Sequence, residues 1–195
     1  MNYVGNSPPL TGSVALDALA ARVAALEARQ TIRALVAASG TAVEFLNIPQ
    51  GIKKLWVHLY ALSTNGASPL MLQVGDSIAG WSGVGYASTS LGGNNGAFVG
   101  SQVNVANGFC ITSTNAAAIT YHGMISLVLA GGAVPSGAHV WVSQGTLNSE
   151  VTAYQVYVSS GSKILTTGSY INQLRLLAVN GTDSLDNGQV GIAYE

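Results

Sequence analysis

The chain has 195 residues, of which 48% are hydrophobic, and its 7 basic and 8 acidic residues give a net charge of −1. Only 8% of the residues are charged, against roughly 25% in a typical soluble domain. Nucleic-acid binding needs clustered Lys or Arg, and a spanning helix needs ~18 consecutive apolar residues. Neither pattern occurs, so we expect no nucleic-acid partner and no membrane insertion. Because so few residues are charged, we also expect part of the surface to be buried against other copies of the chain.

Residues 1–13 are the first predicted element, an extended peptide. Pro8 and Pro9 exclude a helix there. The segment has neither the basic nor the apolar stretch of a signal peptide. We expect this segment to precede the folded part of the chain. We expect the whole chain to be made in a reducing cytoplasm.

Residues 14–30 predict a short coiled-coil helix. Apolar residues spaced three, four and three apart occupy the a and d heptad positions: Leu16, Leu19, Val23 and Leu26. The same register puts Arg22 at g and Glu27 at the following e, positions that meet across neighbouring helices of a parallel bundle. The alternative is a helix packed on its own domain, because two heptads fall short of the three or four that identify a coiled coil.

Residues 31–195 predict one antiparallel β domain, a sandwich or a barrel. Short runs of β-branched and aromatic residues alternate with Gly, Asn, Ser and Pro turns at the spacing of such folds. We expect strands over 31–38, 42–47, 53–63, 69–75, 81–91, 97–104, 107–113, 119–129, 139–147, 151–158, 162–167, 171–179 and 188–194. The predicted fold class is therefore mainly β, an antiparallel β-sandwich preceded by a coiled-coil helix.

An aromatic stripe runs along the strand with the sequence KKLWVHLYALS. Strict alternation assigns one face to the core through Leu55, Val57, Leu59 and Ala61. The opposite face then carries Trp56, His58, Tyr60 and Leu62. Such an amphipathic stripe suits a second sheet, a subunit contact or a sugar.

No catalytic or metal-binding motif is present. His58, His122 and His139 stand singly on predicted strands, without the HxH or HExxH spacing of a metal site. The single Cys110 has no intrachain disulfide partner and is expected to be a small buried hydrophobe. We expect a protein that is not an enzyme and that uses no cofactor.

Two polar segments could carry binding. The stretch 80–96 contains Trp81, Tyr86, Asn94 and Asn95 among small residues, and rings with amides suit saccharides; the alternative is a flexible glycine-rich loop. The closing segment contains Asp183 and Asp186, which lack the alternating ligand spacing of a calcium loop. Asn, Asp and Gly are also standard turn formers, so we predict a turn that leads into a final strand.

Several blocks resemble the carboxy-terminal β-domain of tailed-phage tail fibres and related prophage tail proteins. These are FLNIPQGIK (residues 45–53), STNGASP (63–69), QVGD (73–76), and the closing VNGTDSLDNGQVGIAYE (179–195). The resemblance covers most of residues 42–195 in scattered blocks. The chain departs from the family in its length, since one small helix replaces the usual long shaft.

The resemblance implies a homotrimeric, non-enzymatic virion protein at the end of a tail fibre. The 1–13 peptide would anchor it to other tail or baseplate proteins, and the β domain would bind a host surface glycan or protein. Trp81, Tyr86, Asn94 and Asn95 are the candidate receptor contacts, and Trp56, His58 and Tyr60 the candidate interface. The alternatives are a purely structural tail or baseplate adaptor and a polysaccharide depolymerase, although no paired carboxylates support the latter.

Overall fold

The structure is a computed structural model that describes residues 16–20, 23, 31–94, 97–102, 105–117, 119–130, 138–150 and 155–195. The described strands are β1 (Thr31–Ile32), β2 (Val36–Ala37), β3 (Ala42–Phe45), β4 (Lys54–Thr64), β5 (Leu70–Asp76), β6 (Gly80–Trp81), β7 (Tyr86–Asn94), β8 (Ala97–Gln102), β9 (Phe109–Cys110), β10 (Thr120–Leu129), β11 (Val140–Glu150), β12 (Gln155–Ile164), β13 (Ile171–Ala178) and β14 (Leu185–Tyr194). The prediction of a mainly β fold is confirmed.

The strands form two antiparallel sheets. The large sheet has the order β1-β14-β4-β10-β11-β12-β7-β8, with β2 also paired to β14. The small sheet has the order β3-β13-β5-β6, with β9 also paired to β5. All of the strand pairs are antiparallel. The order is non-sequential because the final strand lies between the amino-terminal strands and β4.

One hydrophobic core joins the two sheets. Alternating residues of β4 supply Leu55, Val57 and Leu59, and β13 of the small sheet supplies Leu174 and Leu176 to the same cluster. Burying one such side chain contributes about 1.5–3 kcal/mol. The alternation predicted for the first half of β4 is therefore confirmed, and it sets the sandwich-like arrangement of the sheets.

Some strand boundaries differ from the prediction. The segments predicted as strands 151–158 and 162–167 share a single strand, β12, although Ser159 to Ser162 reads as a turn in the sequence. The small residues allow close approach there, since a Cβ on Gly161 would lie 2.9 Å from the Ala87 carbonyl oxygen. The predicted 81–91 strand instead divides into β6 and β7.

The described part of the amino-terminal helix does not bury its apolar seam. Residues 16–20 and 23 are helical, and Leu16, Leu19 and Val23 are 43% to 66% exposed. These three residues do not support the alternative of a helix packed on its own domain. Arg22, Leu26, Glu27 and the 1–13 peptide lie outside the described residues. No helix in the described part of the chain has the length and apolarity to cross a membrane.

Strand β4 contains a β-bulge at Ala61. Three steps along β4, from Leu59 to Leu62, match two steps along β10, and Ala61 has a positive φ of 48°. The additional residue reverses the alternation of side chains. Leu62 is therefore fully buried, and its assignment to the outer side is wrong because alternation alone does not reveal a bulge.

Gly188 faces this bulge and is the residue whose replacement tests it. Its φ is 89°, and a Cβ there would lie 2.3 Å from the Ala61 carbonyl oxygen. We expect Gly188→Ala to lower the free energy of unfolding by about 2–5 kcal/mol, since backbone strain and overpacking add. Urea denaturation measures this value.

The matched control is Gly181→Ala, in the turn before β14. Gly181 has a φ of 70° and open space where a Cβ would lie, so only the backbone term of about 1–2 kcal/mol remains. Equal losses for the two variants would show that the contact with the bulge does not matter.

Candidate functional site

The outer face of the large sheet is the side of β4, β10, β11 and β12 that points away from the core. The predicted stripe lies on it: Trp56 is half-buried, while His58 and Tyr60 are exposed. The Lys54 ammonium lies 5.8 Å from the centroid of the Trp56 ring. None of the three packs against a second sheet of this chain, which leaves the subunit contact and the sugar contact as interpretations.

The pairing registers extend this stripe across the sheet. Met124 lies beside His58 and Thr146, and Val158 lies beside Thr146. A neighbouring row carries the polar side chains of Ser126, Gln144 and Ser160. A shallow groove of 450 Å³ is lined by residues of both rows, including Met124, Ser126, Gln144, Thr146, Val158 and Ser160. The alternation of side chains along each strand predicts that each of these residues faces outward. Only the pairing register between the strands shows that they lie side by side.

The outer face is almost uncharged and mixes apolar with neutral polar side chains. Among the described residues of these four strands, its formal charges are confined to the ends, at Lys54 and Glu150. The exposed apolar side chains between them are Tyr60, Met124, Val128, Val156, Val158 and Ile164. A face with few charges and several exposed apolar side chains is typical of a contact between proteins.

His122 supports the bulge next to this face. Its Nδ1 accepts a hydrogen bond from the Ala61 backbone N–H at 3.3 Å, and the Tyr60 ring meets the imidazole edge-on at 5.3 Å between centroids. The Glu150 carboxylate lies 3.4 Å from Nε2. These contacts give His122 a structural role in holding Tyr60.

The predicted receptor-contact residues have different environments. Tyr86 is 5% exposed and its hydroxyl bonds the backbone of Val74 and Ser82; burial raises its pKa to about 12. The expectation that Tyr86 contacts a receptor is therefore wrong. Trp81 and Asn94 are half-buried, and Asn95 lies outside the described residues.

Trp81 belongs to a polar network on the outside of the small sheet. The Arg175 guanidinium lies 4.6 Å from the centroid of the Trp81 ring, and its Nε donates to Gln73 Oε1 at 2.8 Å. Gln73 Nε2 in turn donates to the Asn107 carbonyl oxygen at 2.6 Å, and Glu44 lies 3.6 Å from Arg175. One side of the indole is thus engaged within the chain.

The closing turn is fastened to residues 63–69. Asp183 accepts hydrogen bonds from the Ser68 backbone N–H at 2.9 Å and from Asn180 Nδ2 at 2.7 Å, which lower its pKa, the Asn180 bond first. Asp186 accepts from the Ser63 hydroxyl. The predicted turn into a final strand is confirmed. Among the described residues, no three His, Cys, Asp or Glu side chains are grouped to hold a metal ion.

Cys110 and Asp76 are two further buried groups. Cys110 is 1% exposed, and burial raises the pKa of its thiol to about 12, so the prediction of a small buried hydrophobe is confirmed. Asp76 caps its own turn through the N–H groups of Ile78 and Ala79 and binds the Thr166 hydroxyl at 2.7 Å. Burial acts to raise its pKa, but these hydrogen bonds outweigh it and leave the pKa lowered.

Comparisons of the chain with protein-family models, with curated proteins and with solved structures find no match.

The two lowered aspartate pKa values predict acid sensitivity. Because the folded-state pKa lies below the usual 3.8, the ionised carboxylates stabilise the fold above that pH, and this stabilisation is lost as the pH falls through the folded-state values. We expect Asp76→Asn to be less stable at neutral pH and to lose less stability on acidification. Urea denaturation between about pH 6 and 2 measures both.

The control is Asp17→Asn, because Asp17 lies exposed on the helical segment. This variant should change the free energy of unfolding at neutral pH by less than about 0.5 kcal/mol. An Asp76→Asn profile with the same slope as the unmodified protein would contradict the assigned role of Asp76.

Proposed function

We propose that the protein is a non-enzymatic tail-fibre component of a tailed phage, a homotrimer that binds the host cell surface during adsorption. The observation that carries the proposal is the almost uncharged outer face of the large sheet with its exposed apolar side chains. Covering such side chains with a partner removes them from water and favours association. A second copy of the chain is the natural partner, because the composition lacks the charge that keeps an isolated surface solvated.

The helix supports parallel self-association. Leu16, Leu19 and Val23 lie at the heptad positions that a coiled coil buries, and all three are exposed in the single chain. Three parallel helices would cover this seam and bring three β domains side by side. Both the coiled coil and the outer face would then form contacts between the three chains.

The edge of the large sheet offers a complementary surface. Ile32 is 82% exposed, and Leu35 and Val36 are also exposed, beside β14. These side chains could enter the groove of a neighbouring copy. A contact between two different surfaces closes into a ring of three as readily as into other cyclic assemblies, whereas a twofold dimer joins identical surfaces.

Residues 1–13 would attach the trimer to other tail or baseplate proteins, and the β domain would meet a host glycan or protein. The protein would therefore reside in the virion tail after assembly in the bacterial cytoplasm. The sequence blocks resembling tail fibres and the order of helix and β domain support this assignment. A purely structural adaptor would share the assembly but would not bind cells.

Val158→Asp tests the outer face. Val158 is 55% exposed, lies on β12 and lines the groove of the outer face, and burying an unpaired carboxylate there opposes association. We expect the unmodified protein to have three times the chain mass by light scattering, and the variant to dissociate at concentrations at least about tenfold higher.

Val84→Asp is the matched control, because Val84 is 73% exposed in the loop before β7. It should leave the mass unchanged. A monomeric unmodified protein at micromolar concentration would refute the trimer, and equal behaviour of the two variants would refute the outer face as its contact.

Cell adsorption tests the receptor role. Labelled trimers are expected to bind host cells and to compete with phage adsorption, without releasing sugar from the surface polysaccharide. The Val158→Asp variant should bind more weakly, because a trimer engages several receptors at once. Intact trimers that fail to bind would favour the adaptor, and sugar release would favour a depolymerase.

A further inference from the structure

The surface loop of residues 77–85 connects β5 to β7 and contains the short strand β6. Its sequence, SIAGWSGVG, has no charged side chain. Ile78 is 63% exposed and Val84 is 73% exposed, and among the described large hydrophobic side chains only Ile32 is more exposed than Val84. The 77–85 loop therefore keeps two aliphatic side chains in contact with water.

The buried Asp76 carboxylate holds the first half of the 77–85 loop. Its Oδ1 accepts hydrogen bonds from the backbone N–H groups of Ile78, at 2.9 Å, and Ala79. The Ser77 N–H donates to the Tyr170 carbonyl oxygen at 3.0 Å. These bonds fix the backbone that carries Ile78.

The buried side chains of Tyr86 and Lys163 hold the second half. The Tyr86 hydroxyl hydrogen-bonds the Ser82 carbonyl oxygen at 3.1 Å, and the Lys163 ammonium donates to the Val84 carbonyl oxygen at 2.7 Å. Asp76 and Lys163 are the two charged residues that are buried in the described part of the chain. Burying a charge is unfavourable unless it is hydrogen-bonded, and both of these charges are bonded to the backbone of the 77–85 loop.

A loop held in this way is preformed for binding. Association normally costs free energy because loops and side chains at the interface become ordered. Both Ile78 and Val84 are branched at Cβ, so their χ1 angles are already restricted. The loop therefore presents these two side chains with little further loss of conformational freedom.

The polar side chains of the loop are mostly used within the chain. Ser82 Oγ donates to the Val84 carbonyl oxygen at 3.1 Å, and Ser77 Oγ accepts from the Tyr170 N–H at 3.3 Å. The Trp81 indole N–H is the one other polar side-chain group of this fully described loop. Because a sugar is oriented by several convergent polar groups, this surface favours an apolar partner over a glycan.

The charges beside the loop favour an uncharged partner. The Arg175 guanidinium lies 4.6 Å from the centroid of the Trp81 ring and 3.6 Å from the Glu44 carboxylate. Its charge is thus balanced within the chain, so neither an anionic nor a cationic partner is attracted there. Trp and Arg are also enriched among the residues that dominate binding at protein interfaces.

We propose that the 77–85 loop is the contact with a host cell-surface protein, and that Ile78 and Val84 enter an uncharged apolar pocket of that protein. The inference deepens the proposed receptor role, on which it rests for the location of the partner, and narrows the receptor class to a protein. No residue of this loop lines the groove of the outer face.

Adsorption of Val84→Asp and Ile78→Asn tests the proposal. Each variant places a polar group where binding would bury it without a partner, and asparagine avoids a second carboxylate beside Asp76. Both should keep the trimer mass and the midpoint of urea unfolding. They should bind at least about tenfold more weakly to cells of the strain on which the phage propagates, measured with fluorescently labelled protein.

Leu46→Asp is the matched control, because Leu46 is 47% exposed in the turn after β3. It should bind these cells within about twofold of the unmodified protein. Equal binding by the unmodified protein, Val84→Asp and Ile78→Asn, or an equal loss in Leu46→Asp, would overturn the 77–85 loop as the contact.

Pretreatment of the cells distinguishes the two receptor classes. Proteolysis of the cell surface should abolish adsorption of the unmodified protein. Periodate, which cleaves the vicinal diols of sugars, should leave adsorption within about twofold. Adsorption that survives proteolysis would overturn the proposal, and its loss to periodate instead would assign a glycan.

Failure of this proposal differs from failure of the proposed function. Trimers that adsorb equally well with and without the changes at Ile78 and Val84 would leave the receptor role standing. Unmodified trimers that do not adsorb would refute the receptor role and, with it, the 77–85 loop as its contact. Dissociation of the Val84→Asp trimer would overturn the proposal by assigning the loop to the contact between copies of the chain.

Discussion

The pairing of β14 with β4 is the contact on which the rest of the structure depends. It joins the last strand to the first long strand and places the amino-terminal β1 and β2 on the far side of β14. At one end it brings Glu195 to Lys53, where a recess of 220 Å³ that we call the end pocket is lined by Gln50, Lys53 and Trp141. At the other end it carries the Ala61 bulge and the turn held by Asp183. This one pairing, between strands that are far apart in the sequence, thus positions the outer face, the exposed edge and the end pocket.

Local sequence patterns predicted the structural features that neighbouring residues determine. They missed the features that depend on residues from other strands. Alternation identified the core side of β4 up to Leu59, and the composition of residues 180–184 identified the turn before β14. Leu62 was misassigned because the bulge is defined only by the partners of β4. Tyr86 was misassigned because backbone groups of Val74, on the neighbouring β5 and twelve residues earlier, satisfy its hydroxyl and let the ring be buried.

The sequence blocks that resemble tail fibres mostly serve the fold. Gln73 and Asp76 lie in networks that fix the surroundings of β5, and Ser68 and Asp183 join the block at 63–69 to the closing block. The outer face and most of the end pocket lie elsewhere in the chain. Such blocks therefore favour a fold more strongly than they favour a particular receptor.

The proposed subunit contact and the end pocket, a recess beside Trp141, lie on different surfaces of the domain. The outer face points away from the core, whereas the end pocket opens between the two sheets and includes Trp141 from the inner side of β11. A subunit contact on the outer face would therefore leave Trp141 and its neighbours in place.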